Sequence, residues 1–348
     1  MSARLSLRSE PDLQDKVAFL RAPPSYTPPA ARVAVCETHM SYVFLTDSEA
    51  YKLKKPVRYP FLDFSTLAAR KSSCEAEVAL NRRLAADVYL GVVALTQLRD
   101  GRLRVGGAGT PVDWLVHMRR LPAERMLDRL IVERRLAAAD LAPLAARLAD
   151  FYAGAPPVGI DRQKYIDGLV LEHRLNMDLL SQPRFELDRD TLASVDATLR
   201  SFIASNRACL DARVAAGRVI DGHGDLRPEH VCLTDPPRVI DCLEFNRDLR
   251  LVDWADEIAF LGLECTLLGA PWVGAALREP IAARLADRVP PALTDFYTAL
   301  RACLRARLAV AHLLEPDPRD GARWLPRARA YLRMARAASE KLRTSVVL

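Results

Sequence analysis

The 348 residues are half hydrophobic and 27% charged, enough apolar material to bury a sizeable core and too much for a disordered chain. Fifty Lys and Arg against 44 Asp and Glu leave a formal charge of +6, a small excess that permits an anionic ligand without calling for nucleic acid. Seven cysteines with no CxxC, no leader-like start and no apolar run near ~20 residues predict reduced thiols, a cytoplasmic protein and no membrane segment.

Residues 9–21 read as a short helix, with Ser9 as its cap and Pro11 in the first turn. PPSYTPPA (23–30) is too Pro-rich to continue a helix and reads as a connector. Strand-like runs fill 32–57, broken by the turn TDSE at 46–49. Helical spacing returns over 67–86. VYLGVVALTQL and RLRVG then flank Asp100-Gly101, a hairpin signal, and VDWLVHMRRLP (112–122) reads as a strand leaving into a connector. The first third is thus expected to be a small, mostly antiparallel sheet with one inserted helix. Past Pro122 the spacing is helical near 124–153, 162–182, 189–216, 251–268 and most of 280–345. HVCL (230–233) and RVID (238–241), around the turn TDPP, form the one strand pair in that stretch. The Arg-rich final helices read as solvated amphipathic helices.

The chemistry concentrates in VIDGHGDLRPEHVCLTDPPRVIDCLEFNRDLRLVDWAD (219–256). Asp225 follows His223-Gly224, and Asp241 comes sixteen residues later at the end of an apolar run. A hairpin between them returns the chain to its starting edge, so the two carboxylates are expected to converge. Such a pair suits a divalent cation beside a base that accepts a hydroxyl proton, which is what phosphoryl transfer needs.

HGDLRPEHVCL followed by VIDCLEF resembles the catalytic loop and metal-binding strand of the aminoglycoside phosphotransferase family, relatives of the protein kinases with a typical HGDLHxxN core. The resemblance covers roughly residues 30–340. ETHMSYVFLTDSEAYKLKKPV, FLDFSTL and EVALNRRLA are similar to an uncharacterised branch often joined to a C-terminal P-loop ATP-binding domain. No GxxxxGK[ST] occurs here, so the chain is expected to be the kinase-like half. The resemblance implies an α+β, bilobal protein-kinase-like fold: an N-terminal helix and connector (1–30), a small antiparallel-sheet N-lobe with one helix (31–121), and a larger mainly helical C-lobe (122–348).

By position, the resemblance implies Asp225 as catalytic base, His223 beside it in the catalytic loop, bracing that loop or transferring a proton, and Asp241 as metal ligand. The family's second metal-binding Asn falls on His230, a departure that either substitutes the ligand or loses one metal site. The phosphate-anchoring lysine falls on strand 50–57. Alternation puts Lys52 and Lys54 on one face and Lys55 on the other; Lys54 fits the family best, with Lys52 close behind. Its partner acid is Glu77 or Glu75. The turn 37–41 stands where protein kinases have a Gly-rich loop, offering Thr38 or Ser41 to phosphates. The adenine edge falls against the connector near Met118 to Leu121. Asp253 and Asp256 share a helix face at the start of the next helix; a comparable family Asp ties helix to loop, and the other reading is N-terminal acids favoured by the helix dipole. The implied cofactors are ATP with Mg2+ or Mn2+. The implied partners are a small-molecule hydroxyl acceptor and a separate P-loop ATPase, with no nucleic acid and no membrane. The alternative is a nucleotide-binding pseudokinase acting as a regulatory or partner-binding module.

Overall fold

The computed structural model describes residues 10–59, 62–156, 158–315 and 320–345. These form two compact units. Unit 1 runs up to Ala123 and includes Arg238–Arg247; unit 2 takes Glu124–Pro237 and the chain from Asp248 onward.

Unit 1 opens on α1 (Leu13–Arg21), which begins later than the sequence pattern suggests. The cap is Asp12: its carboxylate accepts the Asp15 N–H while the Asp15 carboxylate accepts the Asp12 N–H. Pro11 precedes this box, and Ser9 lies outside the described residues. There follow β1 (Ala34–Glu37), β2 (Ser41–Leu45), β3 (Glu49–Lys54) and a short ribbon of β4 (Arg58–Tyr59) with β5 (Leu62–Asp63). Then come α2 (Leu67–Ala85), β6 (Tyr89–Gln97), β7 (Leu103–Val105) and β8 (Thr110–Arg119). The main sheet is antiparallel, in the order β1-β2-β3-β8-β6-β7.

Both faces of this sheet are covered. Tyr51 and Leu53 of β3 pack with Val17, Leu20, Phe44, Leu95 and Leu115 in one core. Ala50 packs on the opposite face with Cys74, Val78, Val116 and Met118. Period-two alternation therefore sends Lys52 and Lys54 to the same face as α2. Buried Asp113 of β8 joins the layers: it accepts from Lys16 of α1 (2.9 Å) and from Arg70 of α2 (2.7 and 3.1 Å). Met118, expected beside the connector, lies within β8 and is 8% exposed in that core. The sheet continues through Arg119 because its N–H pairs with the Val88 carbonyl.

Unit 2 is mainly helical: α3 (Leu127–Val132), α4 (Ala142–Ala153), α5 (Arg162–Leu180), α6 (Arg189–Ser205), α7 (Arg207–Ala215), α8 (Trp254–Leu267), α9 (Val273–Arg284), α10 (Pro291–Ala311) and α11 (Gly321–Ser345). The pattern over 189–216 is two helices. Asn206 breaks it, its backbone and side-chain N–H groups both donating to the Phe202 carbonyl. Residues 251–253, expected as the start of a helix, are a strand paired antiparallel with Val219–Asp221. Helix α8 starts one residue later, capped by Asp253, and is buried from Trp254 to Cys265. An all-round buried helix shows no amphipathic stripe, so the strand-to-helix switch leaves little periodic signal. No helix among the described residues is long and apolar enough to cross a membrane.

Candidate active site

In unit 1, five side chains from three segments meet in one ionic cluster. Lys52 Nζ lies 2.9 Å from Glu77 Oε1 and 2.7 Å from Asp241 Oδ1. Lys54 Nζ lies 2.6 Å from Glu77 Oε2 and 2.5 Å from Glu244 Oε1, whose oxygen also accepts from Ser73 Oγ at 3.2 Å. Glu77 reaches both lysines because it sits on the buried stripe of α2 with Arg70, Cys74, Val78, Asn81 and Leu84. Glu75, the rival, is exposed and pairs with Lys71 at 3.8 Å. Lys55 points elsewhere, to Glu37 (2.6 Å) and the Thr38 carbonyl (2.7 Å).

Burial works against the charge on Lys52. Asp241, Glu77 and Glu244 outweigh it and hold the lysine well above its ordinary pKa. Lys54 is likewise raised, burial being overcome by Glu77 and Glu244. For Glu77 burial pushes upward, and the two lysines prevail to lower it. The cluster carries three carboxylates and two ammonium groups, an excess of one negative charge. The Asp241 side chain is 43% exposed, against 1% for both Lys54 and Glu77. An oxygen-donor acid at the exposed end of a cluster with more carboxylates than ammonium groups fits a hard divalent cation.

Asp241 follows the strand Arg238–Val239 instead of ending it. Its φ is +63°, the left-handed region, at a cost of about 1 kcal/mol or more for a residue with a Cβ. The turn is held by the Asp241 N–H donating to Tyr89 Oη (3.1 Å) and the Cys242 N–H donating to Asn81 Oδ1 (2.9 Å). Ser41 is buried at the start of β2; its N–H donates to Thr38 Oγ1 at 3.0 Å, closing the 38–41 turn.

In unit 2, Asp225 sits on a loop tied to α8 by a residue the sequence reading missed. Glu257 Oε1 accepts the N–H groups of His223 (2.5 Å) and Gly224 (2.6 Å), and Glu257 Oε2 accepts from Tyr152 Oη at 3.0 Å. Burial raises the Glu257 pKa against those hydrogen bonds. A Cβ at Gly222 would fall 2.7 Å from Glu257 Oε1, and Gly224 has φ +83°. The two glycines around His223 were thus the available signal: one leaves room for the carboxylate, the other turns the chain.

Asp253 and Asp256 fit the second reading, acids at the helix N-terminus: Asp253 caps α8, Asp256 lies in its first turn, and Glu257 instead ties helix to loop. Asp253 takes a two-pronged bond from Arg213 (2.6 and 2.9 Å), and Asp256 one from Arg301 (2.8 and 2.6 Å). His223 is buried, and its Nδ1 accepts the Asp225 N–H at 3.3 Å. Arg227 Nε donates to Asp225 Oδ2 (3.0 Å) and Nη1 to Glu229 (2.6 Å). The metal role expected for His230 meets a physical obstacle. Its Nδ1 donates to the Asp225 carbonyl at 2.8 Å, and its Nε2 accepts from Arg227 Nη2 at 3.2 Å. The lone pair a cation would need is already taken, so His230 serves as a brace of the Asp225 loop.

No protein-family model matches the chain. The uncharacterized protein Rv2004c of Mycobacterium tuberculosis (strain ATCC 25618 / H37Rv) is 31% identical over 296 residues, covering 83% of this chain and 57% of that protein. The chain thus spans little more than half the length of the curated relatives it matches. A choline kinase from Cryptosporidium parvum Iowa II superposes with a TM-score of 0.55 at 11% identity, over 96% of each chain. A Plasmodium vivax ethanolamine kinase superposes at 0.52 and 10% identity, over 90% of this chain and 84% of its own. Aminoglycoside phosphotransferases are also among the matched structures, with TM-scores below 0.5. At such identities the likeness is one of fold. The chain has the protein-kinase-like α+β fold, with an antiparallel N-terminal sheet and a larger helical part, that it shares with the choline and ethanolamine kinases.

Proposed function

We propose that this chain is an ATP-dependent phosphotransferase, aminoglycoside-phosphotransferase-like, that moves the γ-phosphate to a hydroxyl of a small molecule. The observation that carries the reading is Lys52 held between Glu77 and Asp241. That arrangement presents an ammonium to phosphate oxygens and an acid to a phosphate-bound cation from one cluster. Lys52 suits the phosphate contact better than Lys54, because Lys54 is enclosed between two carboxylates at 1% exposure.

Asp241 would hold the divalent cation, Mg2+ or Mn2+, which neutralises charge on the phosphates when bound. The acceptor oxygen attacks the γ-phosphorus, the bond to the β-phosphate oxygen breaks, and ADP leaves. The hydroxyl proton passes to the Asp225 carboxylate. Glu257 and His223 keep that carboxylate's backbone fixed, so no reorganisation is required at the moment of transfer.

The test is incubation with γ-labelled ATP and Mg2+ in a metabolite extract, followed by mass spectrometry. Label entering an acceptor in wild type and not in Asp225→Asn supports the proposal. Nucleotide binding without any transfer would favour the pseudokinase, and release of pyrophosphate would reveal AMP transfer instead.

A further inference from the structure

Unit 2 holds a second charged assembly that the phosphoryl chemistry leaves unused. Its centre is Glu264 of α8, 2% exposed. Both carboxylate oxygens accept from Tyr331 Oη of α11, at 2.8 and 2.9 Å. Arg305 of α10 donates its Nε to Glu264 Oε1 at 2.8 Å, and Arg327 Nη2 stands 3.5 Å from Glu264 Oε2. Aromatic rings flank the guanidinium groups: Arg305 is 5.9 Å from the Phe260 ring and 5.6 Å from Tyr331, and Arg327 is 5.7 Å from Tyr331.

Two guanidinium groups share Glu264 here, and beside them Arg227 pairs with Asp225 and Glu229, so three cations stand among three carboxylates. Arg305 and Arg327 are both gripped by part of their donor set. Among the described residues, Nη1 and Nη2 of Arg305 and Nη1 of Arg327 have no protein hydrogen-bond partner. A guanidinium fixed at Nε by a buried carboxylate presents its outer fork in one orientation, the geometry that reads a carboxylate or phosphate with two parallel bonds. The assembly neighbours the Asp225 loop. Burial disfavours the charge on Arg305, but Glu264, Tyr331 and Asp225 outweigh it and raise its pKa. Arg305 in turn opposes the charge on Arg227, the residue bonded to Asp225.

We propose that Arg305 and Arg327 form an anion-recognition subsite beside Asp225, so that the acceptor is a hydroxyl compound carrying a carboxylate or phosphate group. The word acceptor rests on the phosphotransferase reading; the anion subsite itself does not. A quaternary ammonium such as that of choline offers the free guanidinium N–H groups no acceptor atom.

The test is calorimetric titration of the full chain, without nucleotide, with D-glycerate, glycerol 3-phosphate, inorganic phosphate, glycerol and choline. Saturable binding of an anionic probe is expected, weakened about tenfold or more by Arg327→Gln and by Arg305→Lys, with glycerol and choline silent. D-glycerate against glycerol 3-phosphate separates a carboxylate site from a phosphate site. Arg327 is 35% exposed, so Arg327→Gln decides the matter if Arg305→Lys fails to fold. No anionic probe binding to wild type, or equal binding to wild type and Arg327→Gln, overturns the proposal and leaves the assembly a structural ion network. A parallel titration with ATP and Mg2+ tests the phosphotransferase reading separately, since its failure does not alter the anion result.

Discussion

Lys52 Nζ and Asp241 Oδ1 are 2.7 Å apart although 189 residues separate them in the chain. Lys54, two residues on, makes the matching contact with Glu244, three residues beyond Asp241. The pairs differ in depth, and so should their variants. Lys52→Ala is expected to lower phosphoryl transfer by about a hundredfold or more while the protein stays folded. Lys54→Ala leaves buried Glu244 without its cation, while Glu77 keeps Lys52, and is expected to cost about 3–5 kcal/mol of stability. Thermal melts beside turnover assays check this. A Lys54→Ala protein that melts normally but does not turn over would reverse the assignment.

Asp225→Asn removes the proton acceptor and keeps the shape. Turnover is expected to fall about 10²–10⁴-fold, with nucleotide binding close to wild type. Single-turnover kinetics with a nucleotide titration separates the two effects.

The Glu257 anchor makes a graded prediction. Glu257→Ala orphans two buried backbone N–H groups, each costing about 1–3 kcal/mol. Glu257→Gln keeps an acceptor oxygen for them and should recover most of the loss. Gly222→Ala places a methyl group 2.7 Å from the Glu257 carboxylate and should resemble Glu257→Ala. Hydrogen exchange of the 223–225 amides reports the anchor directly. Equal protection in all three variants would show that Glu257 does not hold the loop.

The unit 1 cluster sets a pH window. Glu77 is lowered from 4.5, so its contribution is complete above about pH 4.5 and is lost as pH falls through the lower folded value. Lys52 and Lys54 are raised from 10.5, so their contributions are complete below that pH and are lost as it rises through the higher folded values. Glu77→Gln should therefore flatten the acid limb of a stability–pH profile, measured by denaturant melts, and lower the plateau at neutral pH. An unchanged acid limb would count against the ionised cluster.

Metal affinity distinguishes Asp241 from His230. Mn2+ titration in the presence of nucleotide should weaken sharply in Asp241→Asn and change little in His230→Ala. Matched losses in both variants would restore His230 as a ligand.

Much of this was legible in the sequence because it depends on local order. The hairpin signal at Asp100-Gly101, the alternation of Lys52 and Lys54, and the HGD triplet each lie within a few residues, where period and turn chemistry act. What escaped depends on burial across long separations. Glu244 follows the metal strand and is expected to face substrate or phosphates; its pairing with Lys54 depends on a turn whose left-handed residue, Asp241, is not a glycine that would mark it. Glu257 sits on a helix buried all round, where an ionisable residue looks like any other helical acid. The family resemblance puts His230 at the position of a metal-binding Asn, as a substitute ligand or a lost site. Its commitment to Arg227 arises from a three-residue turn that spacing alone does not resolve.

Ten residues, Arg238–Arg247, belong to the first compact unit while the chain on either side of them belongs to the second. Any protein cut near Ala123 would therefore lose Asp241 and Glu244 and strand Lys52 and Lys54 around a single acid, two cations sharing one counter-ion in a closed interior. A truncated sheet fragment would be the wrong reagent for probing nucleotide recognition. Failure of such a fragment would reflect a missing decapeptide, with no bearing on what the whole chain can do.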